Sequence, residues 1–215
     1  MVKIAPSILA ANQLDLKNEI ISVDQAGVEY IHIDIMDGHY VPNITFGPNT
    51  VKEIRSITNK ILDVHLMISP VYNFVEEFIN AGANIISFHP EADHDPNKVL
   101  KLIKKLKCKS GIAIHPNVPI SDVIKYLHLI DMVIVMTVVP GFGGQQFMEE
   151  QIKKIVFLNE IKREKKLNFE IEVDGGINKK TAYICKKNGA NVLVAGSYIY
   201  ESPKNKYKDL IESLR

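Results

Sequence analysis

The sequence predicts an α/β fold in which eight parallel strands close into a (β/α)8 TIM barrel. Strand-like and helix-like patterns alternate from end to end. The strand-like runs are almost continuously apolar, as in parallel strands covered on both faces. Three helix-like stretches end on one device, Ala26-Gly27-Val28, Ala81-Gly82-Ala83-Asn84 and Asn188-Gly189-Ala190-Asn191, where glycine supplies a left-handed cap and a strand follows. An open doubly wound sheet would also alternate. It should carry a phosphate fingerprint after its first strand, and Ala5-Pro6-Ser7-Ile8-Leu9 is not one.

In chain order, strands are expected near residues 2–8, 29–36, 61–67, 84–88, 110–115, 131–137, 169–174 and 191–195. Amphipathic stretches with helical spacing lie between them, for example over 69–81, 96–107, 148–166 and 179–188. The cationic cluster Lys162-Arg163-Glu164-Lys165-Lys166 ends one predicted helix, where positive charge suits the dipole. Eight such units fit a chain of 215 residues as one compact barrel domain spanning 1–215. Neither a linker nor a low-complexity tract marks a second domain.

Composition narrows the function classes. With 46% apolar and 24% charged residues the chain is an ordinary globular protein, and a net charge of +1 recruits neither nucleic acid nor membrane. It has no apolar run long enough to span a bilayer. The start, Met1-Val2-Lys3-Ile4, reads as strand rather than a signal core, so a cytoplasmic enzyme is expected. Cys108 and Cys185 lie in no metal-type spacing and read as ordinary reduced thiols.

Barrel chemistry belongs at the C-terminal ends of the strands. Ser7, Asp34, Met36, His65, Met67, Met136 and Asp174 all fall there. Asp131 and Asp63 lie near strand starts and read as structural. Strand side chains alternate faces, so His32, Asp34 and Met36 share one face, as do His65 and Met67. Polar groups among apolar neighbours are costly unless they coordinate or react with something. His32, Asp34, His65 and Asp174 converging on one mouth form a candidate site for a divalent metal (Zn, Fe(II), Mn or Co), all of which accept mixed imidazole and carboxylate ligands.

Glycine loops supply an anion cradle beside these residues. Pro140-Gly141-Phe142-Gly143-Gly144-Gln145 follows the sixth strand, Gly175-Gly176-Ile177-Asn178 the seventh and Gly196-Ser197 the eighth. The last two occupy the positions where many barrels hold a substrate phosphate. Strands two and seven stand three steps apart around the ring, about 135° in an even barrel. Carboxylates so placed reach a small substrate from nearly opposite faces, one taking a proton and the other giving one, which inverts a carbon centre.

These residues resemble the ribulose-phosphate 3-epimerase family over essentially the full chain. The resemblance is carried by Ala5-Pro6-Ser7-Ile8-Leu9-Ala10, by His32-Ile33-Asp34-Ile35-Met36-Asp37-Gly38 with Val41-Pro42-Asn43, and by Asp63-Val64-His65-Leu66-Met67. Further along are Phe88-His89-Pro90-Glu91, Met136-Thr137-Val138 with the 140–145 loop, Val173-Asp174-Gly175-Gly176-Ile177 and Ala195-Gly196-Ser197. It implies a barrel of the ribulose-phosphate-binding type that interconverts D-ribulose 5-phosphate and D-xylulose 5-phosphate within the pentose phosphate pathway. It implies metal ligation by His32, Asp34, His65 and Asp174, with Asp34 as proton acceptor and Asp174 as donor. Ser7 and His65 would touch the sugar, and Gly141, Phe142, Gly143 and Gly144 would close over it. Gly175, Gly176, Gly196 and Ser197 would hold the phosphate. Met36, Met67 and Met136 would line the site, and the chain would form a homo-oligomer, dimer or hexamer.

Val139 departs from the family pattern, which usually has Glu there, and is expected to alter only the outer contacts of the loop. His89 and His115 read more readily as satisfied structural histidines than as contacts of the site. The rival readings are a 3-epimerase of a six-carbon ketose phosphate such as D-allulose 6-phosphate, and a non-catalytic phosphate-binding barrel. A decarboxylase of the Asp-x-Lys-x-x-Asp type is excluded because Met36 stands at the lysine position.

Overall fold

A computed structural model describes residues 2–215; Met1, the first residue of the predicted domain, lies outside the described residues. Eight parallel strands form one sheet: β1 (Lys3–Pro6), β2 (Tyr30–Met36), β3 (Ile61–Met67), β4 (Ile85–Phe88), β5 (Lys109–Ile114), β6 (Met132–Met136), β7 (Glu170–Asp174) and β8 (Val192–Ala195). Their order is β1-β8-β7-β6-β5-β4-β3-β2. A parallel bridge between Ser7 and His32 brings the two ends of that order together, which nearly closes the barrel.

Eight α-helices accompany the strands: α1 (Leu16–Gln25), α2 (Pro48–Ile57), α3 (Val75–Asn80), α4 (Pro96–Lys105), α5 (Ile152–Glu164), α6 (Lys179–Lys187), α7 (Ser197–Tyr200) and α8 (Tyr207–Leu214). All eight predicted strands form, each within two residues of its expected bounds. Helices are shorter than their periodicity implies. Before α3, the backbone amides of Ser69 and Tyr72 donate to Asp37 and Asp93, so this stretch is spent on loop contacts rather than on a first helical turn. Before α5, residues Glu149–Gln151 form a 3-10 turn. Between β5 and β6 there is no α-helix, only 3-10 turns at Ile120–Asp122 and Ile124–Tyr126. That connection contains Pro116 and Pro119, which lack the backbone N–H that helical hydrogen bonding needs.

Two apolar layers hold the barrel. Outward-facing strand residues such as Ile31, Ile33, Val64, Val133 and Val173 are fully buried under the helices. Inside, Ala5, Tyr30, Ile85, Ala113, Met132, Ile134, Val192 and Val194 fill one part of the lumen. Polar residues fill the rest. Facing strands β2 and β7 contribute a stacked set: Tyr30 donates to Glu170 at 2.7 Å near the floor, His32 and Glu172 meet at 3.6 Å in the middle, and Asp34 and Asp174 stand at the mouth. Lys3 pairs with Glu170 at the floor.

Candidate active site

The β2–β3 register builds the first half of the site. Asp34 pairs with His65 and His32 with Asp63 across the two strands, and alternation turns all four inward. β7 brings Asp174 to the same mouth, with Met136 of β6 beside it in register. His32 Nε2 lies 3.3 Å from Asp34 Oδ1 and 3.8 Å from Asp174 Oδ2. His65 Nδ1 lies 3.5 Å and 3.9 Å from the same two oxygens. These four donor atoms all fall within 4.8 Å of one another.

The site is held firmly from behind. Ser7 Oγ donates to Asp34 Oδ2 at 2.6 Å, and Thr45 Oγ1 donates to the Asp34 carbonyl at 2.6 Å. Thr137 Oγ1 donates to the carbonyls of Asp174 and Gly175 at 3.0 and 2.6 Å. His32 Nδ1 faces Asp63 Oδ2 at 2.6 Å, so an N–H there leaves Nε2 directed at the mouth.

Electrostatics separate the carboxyl groups. Burial alone would raise the pKa of Asp34, but His32 and then His65 outweigh it and hold Asp34 well below the usual carboxylate range. Asp174 is pushed up to about 6 by burial and then by the charge of Asp34. Glu172 is raised by burial and by Asp63. Burial lowers the His32 ring, yet the charges of Asp34 and Asp63 raise it well above the ordinary value.

The donor set fits a divalent metal. His32 Nε2 and His65 Nδ1 are buried and have no hydrogen-bond partner, although both point toward two carboxylate oxygens. Two ring nitrogens and two carboxylates are a donor set that first-row divalent ions accept. The crowding of Asp34, Asp63, Glu172 and Asp174 around His32 likewise calls for positive charge.

Above the carboxylates is a cavity lined by Ser7, Asp34, Met36, Met67, Met136 and Asp174, and by the three glycine loops. The loop after β6 is tied down by Gln145 Nε2, which donates to the carbonyls of Val139 and Phe142 at 2.6 and 2.8 Å, and by Asn43 Nδ2 on the Gly141 carbonyl at 2.8 Å. Gly175 and Gly176 have φ of +119° and +65°. A Cβ on Gly175 would sit 2.5 Å from Val138 Cγ2, and one on Gly176 would sit 2.7 Å from the Phe147 amide nitrogen. No side chain fits at either place, so glycine lets the loop after β7 pack directly against the segment that follows β6.

The predicted lining residues Ser7, Met36, Met67, Met136, Gly141, Phe142, Gly143, Gly144, Gly175, Gly176, Gly196 and Ser197 all border this cavity, together with both aspartates. His32 and His65 are fully buried behind the aspartates and do not line it. Val139 is half exposed, and its carbonyl is bound by Gln145 whatever the side chain. Asp63, read from sequence as structural, instead faces the His32 ring. Glu172 was not singled out, though the alternation Glu170-Ile171-Glu172-Val173-Asp174 puts it on the face of Asp174. His89 Nε2 lies 3.1 Å from His65 Nε2, a contact that only the β3–β4 neighbourhood creates.

A family model described as the ribulose-phosphate 3 epimerase family matches residues 3–200. A ribulose-phosphate 3-epimerase of Bacillus subtilis (strain 168) is 45% identical over 201 residues, covering 93% of this chain and 93% of the relative. The Escherichia coli (strain K12) ribulose-phosphate 3-epimerase is 41% identical over 217 residues, covering 99% of this chain and 94% of the relative. A chloroplastic ribulose-5-phosphate-3-epimerase of Arabidopsis thaliana is 42% identical, covering 99% of this chain and 74% of the relative. Among solved structures, 3-keto-L-gulonate-6-phosphate decarboxylase from Vibrio cholerae superposes with a TM-score of 0.73 at 16% identity, covering 100% of this chain and 96% of that one. The tryptophan synthase complex from Pyrococcus furiosus gives 0.68 at 16% identity, covering 100% and 98%. At such identities these structures share the barrel and nothing more.

Proposed function

Because the chain belongs to the ribulose-phosphate 3-epimerase family, we propose that its barrel mouth inverts C3 of D-ribulose 5-phosphate to give D-xylulose 5-phosphate, with Asp34 and Asp174 as the two proton-transfer groups. The reaction belongs to the pentose phosphate pathway. The relatives reported above are named ribulose-phosphate epimerases, so the six-carbon alternative and the non-catalytic barrel are set aside. The observation that carries the assignment is geometric: two carboxylates from strands three steps apart meet at one buried mouth, directly beneath a glycine-lined cavity.

Asp34 takes the proton from C3 on one face, leaving an enediolate, and Asp174 gives its proton to the opposite face of the same carbon. Their roles exchange in the reverse direction. The Ser7 hydroxyl fixes the Asp34 carboxylate by donating to Oδ2, which leaves Oδ1 toward the histidines. Met36, Met67 and Met136 present apolar surface beside the aspartates and exclude water. The loops at Gly175-Gly176 and Gly196-Ser197 would take the phosphate through backbone amides. His32, Asp34, His65 and Asp174 would hold one divalent ion (Zn, Fe(II), Mn or Co), which when bound supplies positive charge that stabilises the enediolate oxygens.

The same reading makes residues 1–215 one catalytic domain of a cytoplasmic homo-oligomer, dimer or hexamer. Among the described residues, no helix is long and apolar enough to cross a membrane. A coupled assay with D-ribulose 5-phosphate in heavy water tests the function. Product should form with deuterium at C3, and product formed without exchange at that carbon would exclude proton transfer.

A further inference from the structure

His65 faces the mouth with Nδ1 and the protein interior with Nε2. Behind it runs a connected set of side chains that the proposed reaction does not use. His65 Nε2 lies 3.1 Å from His89 Nε2. His89 Nδ1 lies 3.6 Å from Glu91 Oε1, an electrostatic contact rather than a hydrogen bond. Glu91 Oε1 also accepts the Tyr40 hydroxyl at 2.8 Å, and the Tyr40 ring packs on His89 with centroids 4.7 Å apart. His65 and His89 are fully buried, whereas the Glu91 side chain is 36% exposed, on a second cavity that it lines with Tyr40 and His115.

Two facing ring nitrogens carry one proton between them. If His65 Nδ1 is to offer a lone pair to a cation, the proton of that ring must sit on Nε2. His89 must then accept at its own Nε2, which puts its proton on Nδ1, facing the Glu91 carboxylate. The opposite polarity would turn the His89 Nδ1 lone pair toward a carboxylate oxygen at 3.6 Å and place the His65 proton on the nitrogen that faces Asp34 and Asp174. Glu91 therefore selects the tautomer that frees His65. Tyr40 holds Glu91 in place by donating to the same oxygen.

We infer that His89 and Glu91 are positioning residues that fix the tautomer of His65 and so set the affinity of the mouth for a divalent metal. This rests on the reading of His65 as a metal ligand, and it extends the site by two residues that never touch substrate. Outer partners of metal-binding histidines commonly change affinity by about 10–100-fold when removed.

The test is competition for Co2+ between the full-length cobalt-loaded chain and a chromogenic chelator. His89→Phe removes the acceptor for His65, and Glu91→Ala removes the anion that orders His89. Each should weaken Co2+ binding at least about tenfold. His89→Gln, which restores an acceptor oxygen, should recover affinity to within about threefold of the wild type. His89 is buried, so Glu91→Ala at the partly exposed end keeps the test independent of any folding defect in His89→Phe. Unchanged Co2+ affinity in Glu91→Ala and in a folded His89→Phe overturns the inference. A His89→Gln that loses as much affinity as His89→Phe also overturns it, because packing rather than the acceptor would then be responsible. A wild-type chain that takes up no Co2+ overturns the metal reading itself, an outcome distinct from a wild type that binds and variants that bind equally well.

Discussion

His32 Nδ1 and Asp63 Oδ2 stand 2.6 Å apart, both fully buried, one layer below the mouth of the barrel. The contact commits Nε2 of the ring to the aspartates above. It also leaves Glu172 beside the same nitrogen, at 3.6 Å, with neither of its own oxygens hydrogen-bonded. Asp63→Asn keeps the shape and removes the charge, so it should lower kcat/KM and metal affinity together, each by about 10–100-fold. The two would be read by the coupled epimerase assay and by chelator competition on the same preparation. Wild-type values for both would make Asp63 a packing residue only.

The two mouth carboxyls should be individually indispensable. Asp34→Asn removes the group that accepts the C3 proton and Asp174→Asn the group that returns it, and each proton transfer contributes about 10²–10⁴-fold. Turnover should fall by at least that factor in either variant, with circular dichroism unchanged. Asp34→Asn should also fail to wash deuterium into substrate at C3. Substantial epimerase activity in either folded variant would end the two-base scheme.

The strands were legible because a parallel strand covered on both faces must be almost wholly apolar, which leaves any polar residue conspicuous. His32, Asp34, His65 and Asp174 stood out on that ground, and the structure gathers them within 4.8 Å. The same alternation would have found Glu172. Asp63 misled because its position early in β3 suggested the structural end of the barrel, whereas it pairs in register with His32, one layer below the mouth, and faces that ring. His89 reads from sequence as a satisfied structural histidine because its contact with His65 comes only from the pairing of β3 with β4, which local spacing does not reveal. Helix lengths were overestimated where loop carboxylates captured the amides that a first helical turn would leave free, as Asp93 does for Tyr72.

Gly175 offers a separable test of the cradle. With φ at +119° and a phantom Cβ 2.5 Å from the Val138 side chain, Gly175→Ala must either strain the backbone or push the loop after β6 aside. A penalty of about 1–3 kcal/mol is expected. For a chain of this size that lowers Tm by about 2–4 °C for each kcal/mol. The displaced loop should raise KM for the phosphosugar more than it lowers kcat. An unchanged Tm together with an unchanged KM would show that the Val138 contact yields freely.

The two thiols should be inert in the native chain. Burial pushes Cys185 up to about 12 and Cys108 up to about 11. Cys185 is buried and Cys108 partly so. At pH 8 the thiolate fraction is then only about one in a thousand or fewer, and thiolate is the reactive form. A disulfide reagent should therefore modify neither at an appreciable rate until the chain is unfolded, when both should react. Rapid modification of the folded protein would show that α6, which carries Cys185, or the segment between α4 and β5, which carries Cys108, opens readily.

Metal removal should separate chemistry from folding. The apolar layers between strands and helices do not depend on the mouth, and Ser7, Thr45 and Thr137 hold both aspartates from the protein side. A chelated sample should thus stay folded while losing most of its activity, and Co2+, Mn2+ or Zn2+ added back should restore it. A ligand that binds only the native state stabilises it by about 2.7 kcal/mol at one hundred times its Kd. Tm should accordingly rise on reloading, and the rise should shrink in His65→Ala, which deletes one of the four donors. Full activity in a sample shown by elemental analysis to be free of metal would mean that the protein groups alone stabilise the enediolate. Loss of circular dichroism on chelation would mean instead that the ion closes the barrel. The buried, unpartnered nitrogens of His32 and His65 favour neither outcome: they are the donors a cation would use, set in a frame that other contacts hold.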